Sequence, residues 1–324
     1  VSASASAGVA RPERTLLVLG GVTLACAALF MLVDAGGQWD FILPFRARKL
    51  ATAVLVGYAI AVSTVLFQTV TGNRVLTPAI MGFDYLYVLI QTCLVFVLGS
   101  TTVAGLDPWL LFGVEVTLMV IFSALVNGWL FGVVQGSVHL LLLIGVVLGV
   151  LFRSLASFLQ RVIEPNEFVF LQDRFFASFN DPEHGLLLVA GGLTLGATVL
   201  GFRLLRACDV LVLGREVAIN LGVDYSRTVA WVLALVAVLV SVSTALVGPV
   251  TFLGLLVANL AYSVTNTYRH ALVLPAAALI AAIALVSGQF VLERVFGLDT
   301  NPRVIIEFLG GLVFLALLMR KATR

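Results

Sequence analysis

From Leu16 to Val33 the chain runs eighteen residues without a charged side chain, and comparable apolar runs recur along its whole length. A backbone that crosses hydrocarbon must satisfy its own amides, because an unpaired group costs several kcal/mol there. Helices and closed barrels are the two solutions, and these runs lack the alternation and aromatic girdles of barrel strands. A spanning helix needs about 20 mostly apolar residues. Ten segments qualify, near 15–33, 50–70, 84–99, 109–131, 139–157, 186–206, 228–247, 250–265, 271–292 and 304–320. The sequence therefore predicts an all-α, polytopic membrane protein of about ten transmembrane helices. Residues 1–324 form a single transmembrane domain, with a polar tail at 1–14. Charged residues are 11% and apolar residues 61% of the chain, against about 25% charged in soluble domains, so lipid is its main solvent and no soluble enzyme domain is left over.

The apolar run at Leu16 has no small-residue cleavage site after it and reads as the first span, not as a signal peptide. The eighth candidate begins just after Gly248-Pro249 and reads as partly broken, the one clear Gly-Pro interruption in the chain. An even number of spans puts both termini on one face. Eleven Lys and Arg fall on that face and eight on the other, which by the positive-inside rule makes the termini cytoplasmic. The outer eight include Arg46, Arg48 and Lys49, a cluster that calls for a reason of its own. A net charge of +2, with basic residues scattered, excludes a nucleic-acid surface. Cys26, Cys93 and Cys208 form no disulfide framework, and His139, His184 and His270 lack neighbours at metal-ligand spacing, so no metal site is expected. The phosphate-binding pattern G-x-x-x-x-G-K-[ST] is absent, so the chain has no ATPase site of that kind. Glu115 and Glu307 lie inside predicted helices but within about two turns of the outer end, where water or a basic partner such as Arg303 is in reach.

Two loops are long. The outer one, from about Arg153 to Gly185, carries both charges and aromatics and suggests an amphipathic lip. The inner one, from Leu204 to Thr228, contains CDVLVLGREVAINLGVDYSR. Gly214 and Gly222 supply permissive backbone at the ends of a short helix. Val217, Ala218 and Leu221 share one helical face, while Arg215, Glu216 and Asn220 face water or a partner. From periodicity alone this is either a docking element or an ordinary amphipathic connector on the membrane surface.

The stretch LGREVAINLGVDYSRTV resembles the LGEExAxxLGV element of the FecCD-type, BtuC-like permeases, the family of iron-siderophore and vitamin B12 importers. RARKLATAVLVGYAIAVSTVLFQTVTGNRVLTPAIMGF is similar to that family's LPRxLxAxLVGxALAxSGxxxQxxxxNPLAxPxxLG, VGPVTFLGLLVANLAYSV to AGPIGFVGLVVPHIxR, and PRVIIEFLGGLVFLALLMRK to its C-terminal close. Order and spacing agree from about residue 40 onward. Departures at Phe45, Thr64, Arg74, Phe83-Asp84-Tyr85-Leu86, Ala258-Asn259 and Gly311-Leu312 are similar to those of the branch that serves catechol-type siderophores and pairs two different permease chains, and they speak against vitamin B12 as cargo.

The resemblance implies a type II ABC importer permease in the bacterial cytoplasmic membrane, moving an iron-siderophore chelate. This chain would bind no cofactor; ATP and Mg would sit on separate ABC ATPase subunits. The other implied partners are a second homologous permease, a heterodimer being favoured, an extracytoplasmic substrate-binding protein and membrane lipid. Residues 207–226 would form cytoplasmic coupling helices, with Leu213, Gly214, Arg215, Glu216, Ala218, Leu221 and Gly222 meeting the ATPase. Arg46, Arg48 and Lys49, with Arg294 and Arg303, would receive the binding protein; the alternative for the first three is snorkelling at a helix end. Ser63, Gln68, Thr71, Asn73, Pro78 and Asn259 would line the translocation path or its inner gate, where the alternative for the Ala-, Ser- and Thr-rich second helix is close packing by small residues. The readings left open are a secondary transporter driven by an ion gradient, which calls for broken helices in both halves, and an ABC permease for vitamin B12, heme or metal ions.

Overall fold

The computed structural model describes residues 12–33, 39–133, 138–175, 179 and 183–295. Twelve α-helices follow one another among these: α1 (Pro12–Leu32), α2 (Trp39–Thr71), α3 (Phe83–Leu98), α4 (Ser100–Ala104), α5 (Pro108–Val133), α6 (Val138–Val162), α7 (Pro165–Phe175), α8 (His184–Leu211), α9 (Arg215–Asn220), α10 (Tyr225–Val247), α11 (Leu253–Thr265) and α12 (His270–Val295). Seven of them are long and apolar enough to cross a bilayer, and α3 and α11 are shorter apolar helices. These nine correspond to the first nine expected spans; the tenth, 304–320, lies outside the described residues, as do Glu307, Arg303 and Gly311-Leu312. At 1.5 Å per residue α3 and α11 reach about 24 and 20 Å, less than the roughly 30 Å of hydrocarbon.

Both short helices start at a break in the bundle. One is the expected interruption, where α10 ends at Gly248 with φ 91°. The other falls in the gap between the second and third expected spans, where Pro78 and Gly82 make a second break beside the single Gly-Pro interruption named from the sequence. Thr77 is extended, as a residue before proline tends to be; Pro78–Met81 form one 3₁₀ turn, and Gly82 at φ 87° redirects the chain into α3. α6 lies directly on this break. A Cβ on Gly145 would stand 2.9 Å from the Met81 Cα, and one on Gly82 would stand 2.8 Å from the Gly149 Cα. The glycines, spaced as in the small-xxx-small packing motif, are what let one backbone rest on another.

Hydrogen bonds show which helix ends share a face. On one face, the start of α2 meets the end of α1 through Arg46 and the end of α12 through Lys49 and Glu293, and the starts of α5 and α8 join through Trp109 and Glu183. The amphipathic helix α7 covers part of this face, held by Glu167 accepting from the Ser100 amide. It is the expected lip, but α6 continues to Val162, so Arg153 is helical. On the opposite face lie the end of α2, the end of α8, all of α9 and the starts of α10 and α12. α2 and α10 form the centre: 67% of the residues in their spanning windows are inside the bundle, against 6% for α1.

Candidate functional site

On the α9 face, the chain leaves α8 at Leu211 and makes one turn to Gly214, whose φ of 97° suits a residue without a Cβ. It then forms the six-residue α9 and turns again at Gly222, φ 82°. Asp224 caps α10 by accepting from the Arg227 amide at 3.1 Å. Of the segment 207–226, only 215–220 is a separate helix, and the flanks belong to α8 and α10. Within α9 Ala218 alone is buried, whereas Leu213 and Leu221 on its flanks are 58% and 60% exposed. Val217 and Ile219 are also exposed. Val217 and Leu221 therefore do not share an inward face with Ala218, as periodicity suggested; a helix this short leans on its neighbours through one methyl group. The result is an apolar knob outside the membrane span, carrying Arg215 and Glu216 on its surface.

A second feature lies where the two breaks meet. Ser63, Thr64, Thr77, Pro78, Asp84, Ser243, Thr244 and Thr251 line a crevice of about 30 Å³ between α2, α10 and the starts of α3 and α11, room for about one water molecule. Of the expected path residues, Ser63 and Pro78 come together here. Val-Ser-Thr occurs both at 62–64 and at 242–244, and the fold brings the two copies face to face. That repeat was the signal that could have added Ser243 and Thr244. Asp84 accepts a hydrogen bond from the Thr251 hydroxyl at 3.2 Å, tying the start of α3 to the loop before α11. Gly254 of α11 packs so closely on α2 that a Cβ there would overlap the Thr64 hydroxyl.

Toward the α9 face the other path candidates gather around Arg74. Its carbonyl accepts from Gln68 Nε2 at 2.8 Å and from Asn259 Nδ2 at 3.1 Å. Its guanidinium stacks on the rings of Tyr262 and Tyr268 at 4.4 and 4.9 Å. This arrangement fixes the loop after α2 against α11. Thr71 and Asn73 play local parts: the Thr71 hydroxyl bonds back to the Phe67 carbonyl, and exposed Asn73 accepts from the Val75 amide. Three further residues that the sequence did not bring together join here. His270, 1% exposed, places Nδ1 2.7 Å from Asp209 and Nε2 2.7 Å from the Thr69 hydroxyl.

The basic cluster on the opposite face is largely engaged within the chain. Arg46, 8% exposed, donates from Nη1 to the carbonyls of Phe30, Met31 and Val33, closing the C-terminus of α1, which has no basic residue in its own last turn. Such a helix end favours a cation. Lys49 is paired with Glu293 at 2.8 Å and lies over the Phe45 ring. Arg48 is partly exposed, and exposed Arg294 donates to the Val33 carbonyl at 2.9 Å. Removing one partner of a buried pair leaves a stranded charge. Lys49→Met is therefore expected to lower stability by about 3 kcal/mol, and adding Glu293→Gln to recover most of it. Thermal unfolding of the three proteins in detergent checks this; equal midpoints for the single and double variants contradict it. Glu115 is likewise more enclosed than its sequence position suggested. It accepts from Gln91 at 2.6 Å, and Arg174 of α7 donates to the other end of that amide.

The pattern of the FecCD transport family matches residues 14–320. The chain belongs to that family. Among its FecCD relatives, the petrobactin import system permease protein YclO of Bacillus subtilis is 47% identical over 311 residues, 96% of this chain and 98% of that protein. The petrobactin import system permease protein FatC of Bacillus anthracis is 36% identical, over 87% and 80% of the two chains. The Fe(3+) dicitrate permease FecD of Escherichia coli is 27% identical over 94% of this chain. A metal-chelate type ABC transporter solved in an inward-facing conformation superposes with a TM-score of 0.84 at 22% identity, covering 95% of this chain and 99% of that one. At that identity the likeness speaks to the fold alone.

Proposed function

We propose that this chain is the permease subunit of an ATP-driven importer that carries a ferric siderophore, of the chemical class of petrobactin, across the bacterial cytoplasmic membrane. The observation that carries this reading is the knob around α9, between the candidate spans α8 and α10, with Leu213, Val217, Ile219 and Leu221 exposed and Arg215 and Glu216 beside them. Apolar side chains left in water cost about 1.5–3 kcal/mol each relative to burial, so the knob is suited to a cleft on another protein. On this reading the α9 face and both termini are cytoplasmic. The partner is an ATPase subunit that holds ATP and Mg and lends its motion to a chain that itself catalyses nothing.

The crevice at the double break admits water and not a chelate. Passage then needs a wider route, formed between this chain and a second, homologous permease and opened by shifts of α3 and α11 relative to α2 and α10. Hydroxyls suit such a route because each offers a weak contact that a large, charged cargo can leave. ATP binding and release favour one of two arrangements of the bundle. Outside, Arg48 and Arg294 are the less buried members of the basic cluster and would meet acidic residues of a substrate-binding protein, Arg294 while also holding the Val33 carbonyl, and Arg46 and Lys49 brace the same corner from within. Opposite charges across such a contact steer encounter and fix register.

Broken helices in both halves are also the architecture of ion-coupled carriers, and one experiment separates the two. The complete importer, reconstituted in proteoliposomes with its ATPase, second permease and binding protein, is supplied with radiolabelled ferric petrobactin. Uptake is expected to require enclosed ATP and to persist when ionophores collapse all ion gradients. Uptake that ignores ATP and disappears with the gradients overturns the proposal.

A further inference from the structure

We infer that Asp209, His270 and Thr69 form the link that carries movement of α9 to the inner end of α2, and that they are positioning residues for transport; the inference rests on α9 being the ATPase contact. Asp209 sits in the last turn of α8, two residues before its end at Leu211 and a short turn from α9. Its carboxylate accepts both from the His270 backbone amide at 2.8 Å and from the ring at 2.7 Å. The two bonds grip the first residue of α12 by backbone and side chain together. The other ring nitrogen reaches Thr69 on α2. Next to Thr69, Gln68 holds the Arg74 carbonyl that Asn259 of α11 also holds.

A continuous set of directional bonds thus runs from the root of α9 through α8 and α12 to α2 and α11, the helices that border the crevice. Apolar contacts around it permit sliding, since one methyl group replaces another at little cost. The bonds of His270 do not, because its ring is 1% exposed and finds no water once parted from Thr69 or Asp209, although the Asp209 carboxylate itself is 38% exposed. The ring is enclosed, so a shift at Asp209 either moves Thr69 with it or breaks a bond. A part that served only to hold the fold would need no such alignment with the route from α9.

The test uses the reconstituted importer and radiolabelled ferric petrobactin, reading ATP hydrolysed per chelate taken up. His270→Leu is expected to leave assembly and ATP hydrolysis close to the original while uptake falls, raising the ratio by about tenfold. Asp209→Asn keeps an acceptor for the ring and is expected to stay within about threefold of the original ratio. If His270→Leu fails to assemble, Thr69→Val, which matches the shape and leaves the His270–Asp209 pair intact, is expected to raise the ratio by about threefold or more. An unchanged ratio in an assembled His270→Leu or Thr69→Val importer overturns the link, as does a loss of uptake and hydrolysis in equal proportion. Failure of the underlying reading looks different: the unaltered importer then takes up no chelate with ATP, whatever residue 270 is.

Discussion

A chain carrying Val217→Asp and Leu221→Asp is expected to lose its ATPase subunits and, with them, uptake, by a factor of about 100 or more. Both side chains are exposed in the isolated chain, Leu221 to 60%. Aspartate at either place therefore meets only water as long as no partner is bound, and the bundle itself is not disturbed. Docking reverses this. Burying each native side chain contributes about 1.5–3 kcal/mol, and each new carboxylate must either be desolvated without a partner or hold the surfaces apart. With tenfold in affinity for every 1.4 kcal/mol, two such losses exceed a hundredfold. Co-purification with a tagged ATPase measures it directly, and the unfolding temperature of the permease alone serves as the control. An unchanged yield of ATPase on the doubly substituted chain would remove α9 from the contact and, with it, the central support for the proposed function.

Ala218→Leu is a useful contrast, because Ala218 is the residue of α9 that the chain buries. The difference between 218 and its neighbours marks how far the sequence could be read. Gly214 and Gly222 announced a short helix, and both do take positive φ. Which side of it turned inward was not legible, since six residues make fewer than two turns and the smallest side chain, rather than the apolar stripe, decided the seat. The membrane spans were legible from runs such as Leu16 to Val33 because hydrocarbon leaves so few alternatives. The break at Thr77–Gly82 was legible only as a gap between the spans 50–70 and 84–99, since Pro78 and Gly82 are not adjacent and no Gly-Pro pair marks the turn back into the bundle.

Charged residues were located by the sequence without their partners inside the chain. Arg46 looked free to meet another protein, yet α1 ends without a cation of its own, and three of its carbonyls take the guanidinium. The lack of a basic residue in the last turn of α1 was the available signal. His270 looked inert because its partners are distant in sequence, Asp209 by 61 residues and Thr69 by 201, and no local spacing rule reaches that far. The family resemblance covered Thr69 and the 207–226 segment that holds Asp209 but not His270, the residue that joins the two.

Gly149→Leu is expected to cost about 3 kcal/mol and to lower the unfolding midpoint in detergent by roughly 5–10 °C, although glycine is among the poorer residues for a helix and leucine is at home in lipid. The reason is the approach of α6 to the break before α3. A Cβ on Gly149 would already stand 3.1 Å from the Gly82 Cα, and the opposing Cβ on Gly82 would be tighter still at 2.8 Å. Backbone faces backbone, so no rotamer can yield, and Gly82 at φ 87° cannot be exchanged for a residue that would move aside without strain. Either α6 lifts off or the 3₁₀ turn deforms, and both take the start of α3, with Asp84, away from Thr251. Gly192 on α8 provides the control, since a Cβ there has nothing within 4 Å. Gly192→Leu replaces a weak helix former with a strong one facing open space, and is expected to leave the midpoint unchanged or raise it. Equal losses at the two positions would mean that leucine in an exposed helix, and not the crossing at Met81–Gly82, sets the cost, and the break would then have no structural need of α6.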